Sequence, residues 1–318
     1  MTALPVRPAH QLDLLAPEQR WLIDGLWGTE AVGILGGEPK CCKSFLALDM
    51  AVAVASATPC LRRFPVARAG RVLLFAAEDA LTTVRQRLEG ICAAADLRLT
   101  DLDLQVITAP ALRLDLELDR ERLDDTVRAL RPALLVLDPF VRLHRIDENA
   151  SAEVAPLLAY LRGLQRHYQT AVALVHHSRK GAAHLRAGQA LRGSSELHAW
   201  GDSNLYLRRF RDGDSLALAI EHRAAASSTG LTLQLLAHGD ALALHVDEPA
   251  SSPPCHAPAP TAIDRVEAAL AAAAAPLSLK AVRAEVKMRA VTVSDALATL
   301  VTQGRARRSD SGYVIAAR

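Results

Sequence analysis

The chain has 318 residues, of which 50% are hydrophobic, 23% charged and 4% aromatic. This composition is typical of a soluble globular protein and excludes a disordered chain, a collagen and a coiled coil. The length allows about two domains. The net charge is +2, but residues 261–318 carry nine Lys or Arg against five Asp or Glu, so the positive charge lies at the C-terminal end.

No stretch of the sequence approaches the roughly 18–20 apolar residues of a membrane span. The N-terminus lacks the basic and then apolar pattern of a signal peptide. We therefore expect a cytoplasmic protein with no membrane partner. Five cysteines, an odd number with no CxxC pair, favour reduced thiols over a disulfide framework or a zinc ribbon.

Up to residue 246, short apolar runs alternate with stretches of helical periodicity. This alternation predicts an α/β domain with a mostly parallel central sheet over residues 1–246. The last strands follow one another too closely for long helices, which predicts an antiparallel end to the sheet. The expected strands are residues 31–35, 71–77, 104–107, 133–137, 171–175, 205–207, 216–220 and 231–236.

The C-terminal part begins with a change of composition. Residues 247–260 are rich in Pro, Ser and Ala and have no hydrophobic periodicity, which indicates a linker. Residues 261–318 then show three short helical patterns, near 262–274, 279–286 and 293–303, before a terminal hairpin pattern. This order predicts a small winged helix-turn-helix domain.

The strongest motif lies between the strand 31–35 and a helix expected over 45–55. A strand, a loop, Lys-Ser and a helix form the context of a phosphate-binding loop, in which backbone N–H groups and the helix dipole hold phosphates. In this interpretation Lys43 reaches the β- and γ-phosphates and Ser44 binds Mg²⁺. The expected nucleotide-binding residues are Gly36, Gly37, Glu38, Pro39, Lys40, Cys41, Cys42, Lys43, Ser44 and Phe45.

Cys42 departs from this pattern, because the second glycine of Gly-x-x-x-x-Gly-Lys-Ser falls at position 42. Its β-carbon adds bulk close to the phosphates and restricts the backbone. Cys41 and Cys42 also precede a helix beside Lys43, a setting that lowers thiol pKa values. We therefore expect nucleotide binding that is sensitive to oxidation.

Two carboxylates follow predicted strands and fit the same site. Asp138 ends a buried strand, where it can anchor Mg²⁺, or simply start a turn before Pro139. Glu78 ends another strand, where it can polarise the attacking water, or form a simple strand-end charge. Asp79 is positioned to cap the next helix.

His176 and His177 follow the strand 171–175. Because side chains alternate along a strand, adjacent histidines do not readily share one metal. We expect one of the two rings to face the γ-phosphate as a sensor; the alternative is a histidine of the core or the strand end.

These motifs resemble the RepA-type plasmid replicative helicases, which are ring-forming ATPases of the RecA-like superfamily. The resemblance covers residues 20–245 and rests on the loop before Ser44, Glu78, Asp138, the run 143–151, His176-His177 with Lys180-Gly181, and the Arg-Gly-Ser-Ser motif at 192–195. It implies ATP and Mg²⁺ as cofactors, a hexameric ring, and a central channel for single-stranded DNA. It also implies the roles given above for Lys43, Ser44, Glu78, Asp138 and the histidines.

Two features depart from that resemblance. The helicases supply an arginine to the neighbouring subunit's ATP about ten residues after the Arg-Gly-Ser-Ser motif, and residues 196–204 contain no arginine. Arg223 is the expected substitute, with Arg208 or Arg209 as alternatives and a solvated face as the remaining one. The appended winged helix is also absent from those helicases, which weakens the inference of a replicative enzyme.

Two basic segments are candidates for DNA contact. The Gly- and Ala-rich run 179–193 is expected as a channel loop that contacts DNA backbone, or as a surface loop, through Arg179, Lys180, Arg186 and Arg192. The winged helix is expected to bind duplex DNA, or another protein, through Lys287, Arg289, Arg305, Arg307 and Arg308.

The sequence therefore predicts a ring-forming, ATP-dependent DNA translocase or helicase. An accessory, nucleotide-gated DNA-binding ATPase of a mobile element is the alternative, and the departure at position 42 and the missing arginine favour it. A P-loop small-molecule kinase is a weak third interpretation, because no acceptor-binding lid is legible.

Overall fold

The computed structural model describes residues 4, 6–12, 16, 19–177, 195–210, 214–238, 241–247, 262–273, 275–286, 288, 290–309 and 312–316. The chain forms two compact units, Met1–Glu248 and Pro249–Arg318. Within the described ranges, no helix combines the length and the apolar character that crossing a lipid bilayer requires.

The first unit is built around a nine-stranded sheet that is mostly parallel, as predicted. The parallel strands are β3 (Val32–Gly37), β4 (Val72–Ala76), β5 (Leu104–Val106), β6 (Leu134–Asp138), β7 (Ala171–His177) and β8 (Ser203–Arg209). The antiparallel strands are β9 (Leu216–His222), β10 (Ser228–His238) and β11 (Ala241–Val246). The order of strands across the sheet is β11-β10-β9-β8-β3-β7-β6-β4-β5.

Helices cover both faces of the parallel strands, because successive strand residues point to opposite faces. On one face, residues such as Leu35, Leu74 and Val136 pack with α1 (Lys43–Ser56) and α2 (Leu81–Ala94). On the other, residues such as Ile34 and Leu135 pack with α3 (Glu117–Leu130) and α4 (Ser151–Tyr168). A short helix, α5 (Ser195–Trp200), precedes β8.

The antiparallel strands extend the core on the α1 and α2 face, because Leu218, Leu233 and Leu244 belong to the same apolar cluster as those helices. Contact between α2 and β11 depends on Gly90. A β-carbon at Gly90 would lie 2.5 Å from the β-carbon of Ala241. The glycine therefore sets how closely α2 approaches β11.

Three strands that the structure describes in this unit were not predicted from the sequence. A small hairpin, β1 (Trp21–Ile23) and β2 (Trp27–Gly28), forms a separate sheet, and β11 adds the last strand of the large one. Trp27 is buried in this hairpin, and its indole N–H donates to the carbonyl of Ala31 at 3.2 Å.

The second unit contains three helices and a two-stranded hairpin around its own apolar cluster. Its elements are α6 (Ala262–Ala272), α7 (Leu279–Val286), α8 (Ala290–Thr302), β12 (Ala306–Ser309) and β13 (Gly312–Ile315). The last helix begins three residues earlier than the pattern predicts.

Candidate functional site

The phosphate-binding loop connects β3 directly to α1, at the carboxyl edge of the parallel strands. Gly37 closes β3 with φ 159°, and a β-carbon there would lie 2.4 Å from the carbonyl oxygen of Leu207 and 2.6 Å from the thiol of Cys41. The chain can turn into the loop at this point only because residue 37 is a glycine.

The loop has the backbone geometry of an anion nest. Lys40 and Cys42 both have φ 62°, in the left-handed region, and Cys41 between them has negative φ. Such an alternation turns successive N–H groups toward one concave side. For Cys42 the left-handed conformation costs about 1–2 kcal/mol that a glycine would not incur.

Lys43 spans the loop from the first turn of α1. Its buried ammonium donates to the carbonyl oxygens of Gly37 at 3.0 Å and Glu38 at 2.7 Å. Both partners are neutral, and among the residues that the structure describes no carboxylate forms an ion pair with Lys43. The side chain is thus held where a phosphate bound by the loop would meet it.

Ser44 and Asp138 form a pair of oxygen groups beside Lys43. The Ser44 hydroxyl lies close enough to the Asp138 carboxylate, at the end of β6, to lower the pKa of that carboxyl. Burial raises the pKa of Asp138 to about 6, the nearby charges of Asp79 and Glu78 raise it as well, and Ser44 and Lys43 oppose the rise. A hydroxyl and a carboxylate are oxygen ligands of the kind that Mg²⁺ prefers.

Glu78 lies two residues beyond the end of β4 and lines the same cleft. Its carboxylate accepts a hydrogen bond from Nε of Arg142 at 2.8 Å, and both side chains are partly exposed. Arg142 was not predicted from the sequence, because no spacing rule relates it to Glu78. This contact engages one of the two carboxylate oxygens of Glu78.

The two histidines separate as strand alternation requires. His177 lines the cleft, and burial lowers its pKa, with the charge of Lys43 adding to the effect, so the ring is neutral near pH 7. Its buried Nδ1 has no hydrogen-bond partner among the described residues. His176 instead lies in the core, with its ring 5.8 Å from that of Phe140. His176 is not among the described lining residues of the cleft, and its candidate catalytic role stays a prediction.

One cleft of about 260 Å³ joins the loop to the side chains beyond it. Its described lining is Lys40, Cys41, Cys42, Lys43, Ser44, Phe45, Glu78, Arg87, Asp138, Val175 and His177. The nest and the oxygen pair fit a nucleoside triphosphate with Mg²⁺, and His177 lines the same cleft. When bound, Mg²⁺ supplies charge neutralisation at the phosphate oxygens.

The family model described as AAA domain (AAA_25) matches residues 3–183, more than half of the chain. The chain belongs to the AAA domain family. Its first unit has a RecA-like fold with a phosphate-binding loop. Membership implies that it binds nucleotide, in most cases with Mg²⁺, and hydrolyses ATP.

Comparison with solved structures gives matches at low sequence identity. The structure of a DnaB-like replicative helicase, described with its interactions with primase, matches 68% of this chain and 57% of that chain, at 13% identity and a TM-score of 0.51. The RadB recombinase structure matches 65% of this chain and 88% of that chain, at 15% identity and a TM-score of 0.48. This AAA domain chain thus spans little more than half of the helicase.

Two expectations about side chains near the loop are wrong. Asp79 does not cap α2, because the N-cap residue is Ala80 and no side chain hydrogen-bonds the helix end there. Asp79 instead forms an ion pair with Arg87, whose guanidinium lies over the ring of Phe45. The thiol pKa values of Cys41 and Cys42 are raised, because burial outweighs the attraction of nearby cations. The basis for oxidation-sensitive binding is thereby lost.

Arg223 and Arg209, two candidates for the arginine finger that acts on a neighbouring subunit's ATP, lie at opposite edges of the sheet. β9 runs antiparallel to β8, so Arg223 after β9 lies at the amino edge of the parallel strands, away from the loop. Its guanidinium donates to the carbonyl of Trp200 at 3.3 Å and lies 3.4 Å from the carboxylate of Asp202. Arg209 lies at the loop of its own chain instead, where it donates to the carbonyl of Lys40 at 3.2 Å.

In the second unit, the three arginines predicted to contact DNA differ in their pairing and exposure. Arg305 pairs with Glu267 of α6, its Nε donating at 2.9 Å, and so stabilises the unit. Arg307 and Arg308 of β12 are exposed, and Arg308 lies over the ring of Tyr313. The other candidate DNA contacts lie outside the described residues; these are Arg179, Lys180, Arg186, Arg192, Lys287 and Arg289.

Proposed function

We propose that this AAA domain protein is an ATP-dependent DNA translocase or helicase of the RepA type that works as a ring. The observation that carries the proposal is the single cleft that joins Lys43, Ser44, Asp138, Glu78 and His177. Lys43 binds the β- and γ-phosphates, and Ser44 and Asp138 hold Mg²⁺. Glu78 accepts the proton of the attacking water, and neutral His177 contacts the γ-phosphate.

Ring action rests on Arg223. Its position at the amino edge of the sheet removes it from its own chain's loop, so it can act only on the nucleotide of a neighbouring subunit. Asp202, its ionic partner, also accepts from both terminal nitrogens of Arg162. Because Arg162 keeps the Asp202 carboxylate paired, Arg223 can leave this contact at small cost.

DNA contact is proposed in both units. Residues 179–193 lie outside the part of the chain that the structure describes, and their basic sequence supports salt-sensitive contacts with single-stranded DNA. The three helices and hairpin of the second unit act as a winged helix, in which Arg307 and Arg308 contact duplex phosphates. Their exposure and the surplus of basic residues in 261–318 support this part of the proposal.

A second candidate is an accessory DNA-binding ATPase of a mobile element, in which nucleotide sets the assembly and no unwinding occurs. Two observations favour it. Cys42 holds a left-handed conformation where the motif has glycine, and Asp202 occupies the region in which the helicases supply their arginine. Slow turnover would follow from both features.

Steady-state ATP hydrolysis separates the two candidates. Purified protein is measured alone, with single-stranded DNA and with duplex, and Lys43→Ala provides the blank while Glu78→Gln tests for binding without turnover. Strong stimulation by single strands, together with strand displacement, supports the motor. Nucleotide binding with little turnover on any DNA supports the switch, and absence of nucleotide binding contradicts both.

A further inference from the structure

Arg209 reaches the phosphate-binding loop because β8 is longer than its partner β3. The last residues paired between the two strands are Gly37 and Leu207, and β8 continues for two residues beyond them. Pairing of Arg209 with Leu216 of β9 supports this extension. The end of β8 therefore stands beside the loop that follows Gly37.

Strand alternation directs the Arg209 side chain toward α1. Leu205 and Leu207 belong to the apolar cluster that includes α1, whereas Tyr206 belongs to the cluster on the opposite face. Arg209 shares the parity of Leu205 and Leu207. Its charge is also the largest of those that lower the pKa of the Cys42 thiol, against the larger effect of burial.

The contact with Lys40 fixes one peptide plane of the nest. Nη2 of Arg209 donates to the Lys40 carbonyl at 3.2 Å, and Lys40 is itself in the left-handed region. In a trans peptide the C=O and the next N–H point to opposite sides. Holding the Lys40 carbonyl therefore turns the N–H of Cys41 away from Arg209.

The other contact of Arg209 is weak. Nη1 donates to the carboxylate of Asp214 at 3.0 Å, and the Asp214 side chain is fully exposed. Exposed pairs of this kind contribute little to stability. The bond to the loop is thus the one with a structural consequence at the site.

We propose that Arg209 is a positioning residue of the nucleotide site, which holds the loop in its binding conformation against the strain introduced by Cys42. This inference rests on the proposed nucleotide binding and excludes Arg209 as a finger for a neighbouring subunit. In a loop with glycine at position 42 the conformation needs less support, so the contribution of Arg209 depends on residue 42.

A double-mutant cycle tests that dependence in the full chain. The probe is a fluorescent ADP analogue with Mg²⁺, titrated into wild type, Arg209→Ala, Cys42→Gly and the double variant. In the chain with Cys42, we expect Arg209→Ala to weaken binding of the analogue about tenfold, which is about 1.4 kcal/mol. In the Cys42→Gly background, we expect the same substitution to weaken binding less than about threefold. We expect Arg209→Lys to recover part of the loss, because an ammonium can still donate to Lys40.

Turnover provides a second readout. Loss of loop positioning raises KM for ATP and leaves kcat unchanged, because the same contact is lost from ground state and transition state. Arg98→Ala, which removes an exposed partner of Asp101 before β5, is the control for loss of a surface charge and keeps wild-type affinity. Thermal melting of nucleotide-free Arg209→Ala is expected to match wild type.

Three results overturn the inference. Equal losses in both backgrounds mean that Arg209 does not act through the strained loop, and unchanged affinity means that it has no role in binding. A fall in kcat at constant KM places Arg209 at another step. If wild type binds no nucleotide, the proposed function fails together with this inference. If wild type binds nucleotide but the effects of the substitutions at 209 and 42 are independent, this inference alone is overturned.

Discussion

His176 and His177 are chemically identical neighbours with different surroundings. One ring lies in the core beside Phe140 and the other lines the nucleotide cleft. We expect His177→Ala to lower ATP turnover at least tenfold while the free energy of unfolding changes little. His176→Ala should instead cost about 2–4 kcal/mol through the cavity it leaves, measured by urea unfolding. Loss of turnover in both variants at equal stability would contradict this assignment.

The sequence predicted the loop, Asp138 and Glu78 because each follows an apolar run, and parallel strands bring their carboxyl ends to one edge. Strand alternation predicts that only one of the two histidines can act as the γ-phosphate sensor. Which one it is depends on which face of the strand is packed in the core, and the sequence alone does not decide that. The roles of Arg142 and Arg209 could not be predicted, because their partners lie 64 and 169 residues away in the chain. The site assignments themselves stay predictions until turnover is measured.

Among the strands, runs rich in Val, Ile and Leu were predicted well, whereas two very short strands and an alanine-rich one were missed. β11 is an alternation of Ala and Leu over much of its length, and β1 and β2 have only five residues between them. Short strands and alanine-rich strands are defined by their neighbours more than by their own residues. Antiparallel pairing with β10 supplies that context for β11.

Packing of α2 against β11 leads to a prediction with an internal control. In isolation, Gly→Ala within a helix stabilises by about 1 kcal/mol. Gly163 of α4 has no atom within 4 Å of the position a β-carbon would take, so Gly163→Ala should show this gain. At Gly90 the β-carbon would meet Ala241 at 2.5 Å, so Gly90→Ala should instead cost about 1–3 kcal/mol.

Urea unfolding measures both changes, and Ala241→Gly added to Gly90→Ala should restore most of the loss. Two stabilising substitutions would mean that α2 and β11 do not pack this closely. Failure of Ala241→Gly to rescue would place the cost at another contact of Gly90.

For the whole molecule, the exposed arginines of β12 lead to a prediction about the second unit. Replacing Arg307 and Arg308 by alanine should weaken duplex binding about tenfold and lower the salt slope by about 2, because each lost phosphate contact removes roughly one released counterion. DNA-free ATP hydrolysis should not change. The measurement is fluorescence anisotropy on labelled duplex at several salt concentrations.

Arg265→Ala is the matched control for that prediction, because it removes one exposed charge from α6 of the same unit. Its salt slope should stay close to that of wild type. Equal effects at Arg265 and at the β12 arginines would indicate a diffuse electrostatic contribution. An unchanged duplex affinity in the β12 variant would favour a protein-contact role for this unit.

The last prediction concerns assembly. If the chain forms a ring, each ATP site contains Glu78 of one subunit and Arg223 of its neighbour. A subunit with Arg223→Ala keeps its own Glu78 but supplies no arginine to its neighbour. A subunit with Glu78→Gln supplies Arg223 but has no working base. Mixed assemblies therefore contain interfaces at which an intact Glu78 faces an intact Arg223, and mixing two inactive proteins should restore ATP hydrolysis.

The control is a mixture of Glu78→Gln with Lys43→Ala. Both substitutions disable the half of the site that a chain provides for itself, so no arrangement of these subunits brings an intact cleft together with an arginine, and the mixture should stay inactive. Absence of recovery at every ratio of Arg223→Ala to Glu78→Gln would remove the support for a shared site. Because Arg162 retains Asp202 when Arg223 is replaced, a loss of turnover in the pure variant reflects the missing arginine more than a loss of fold.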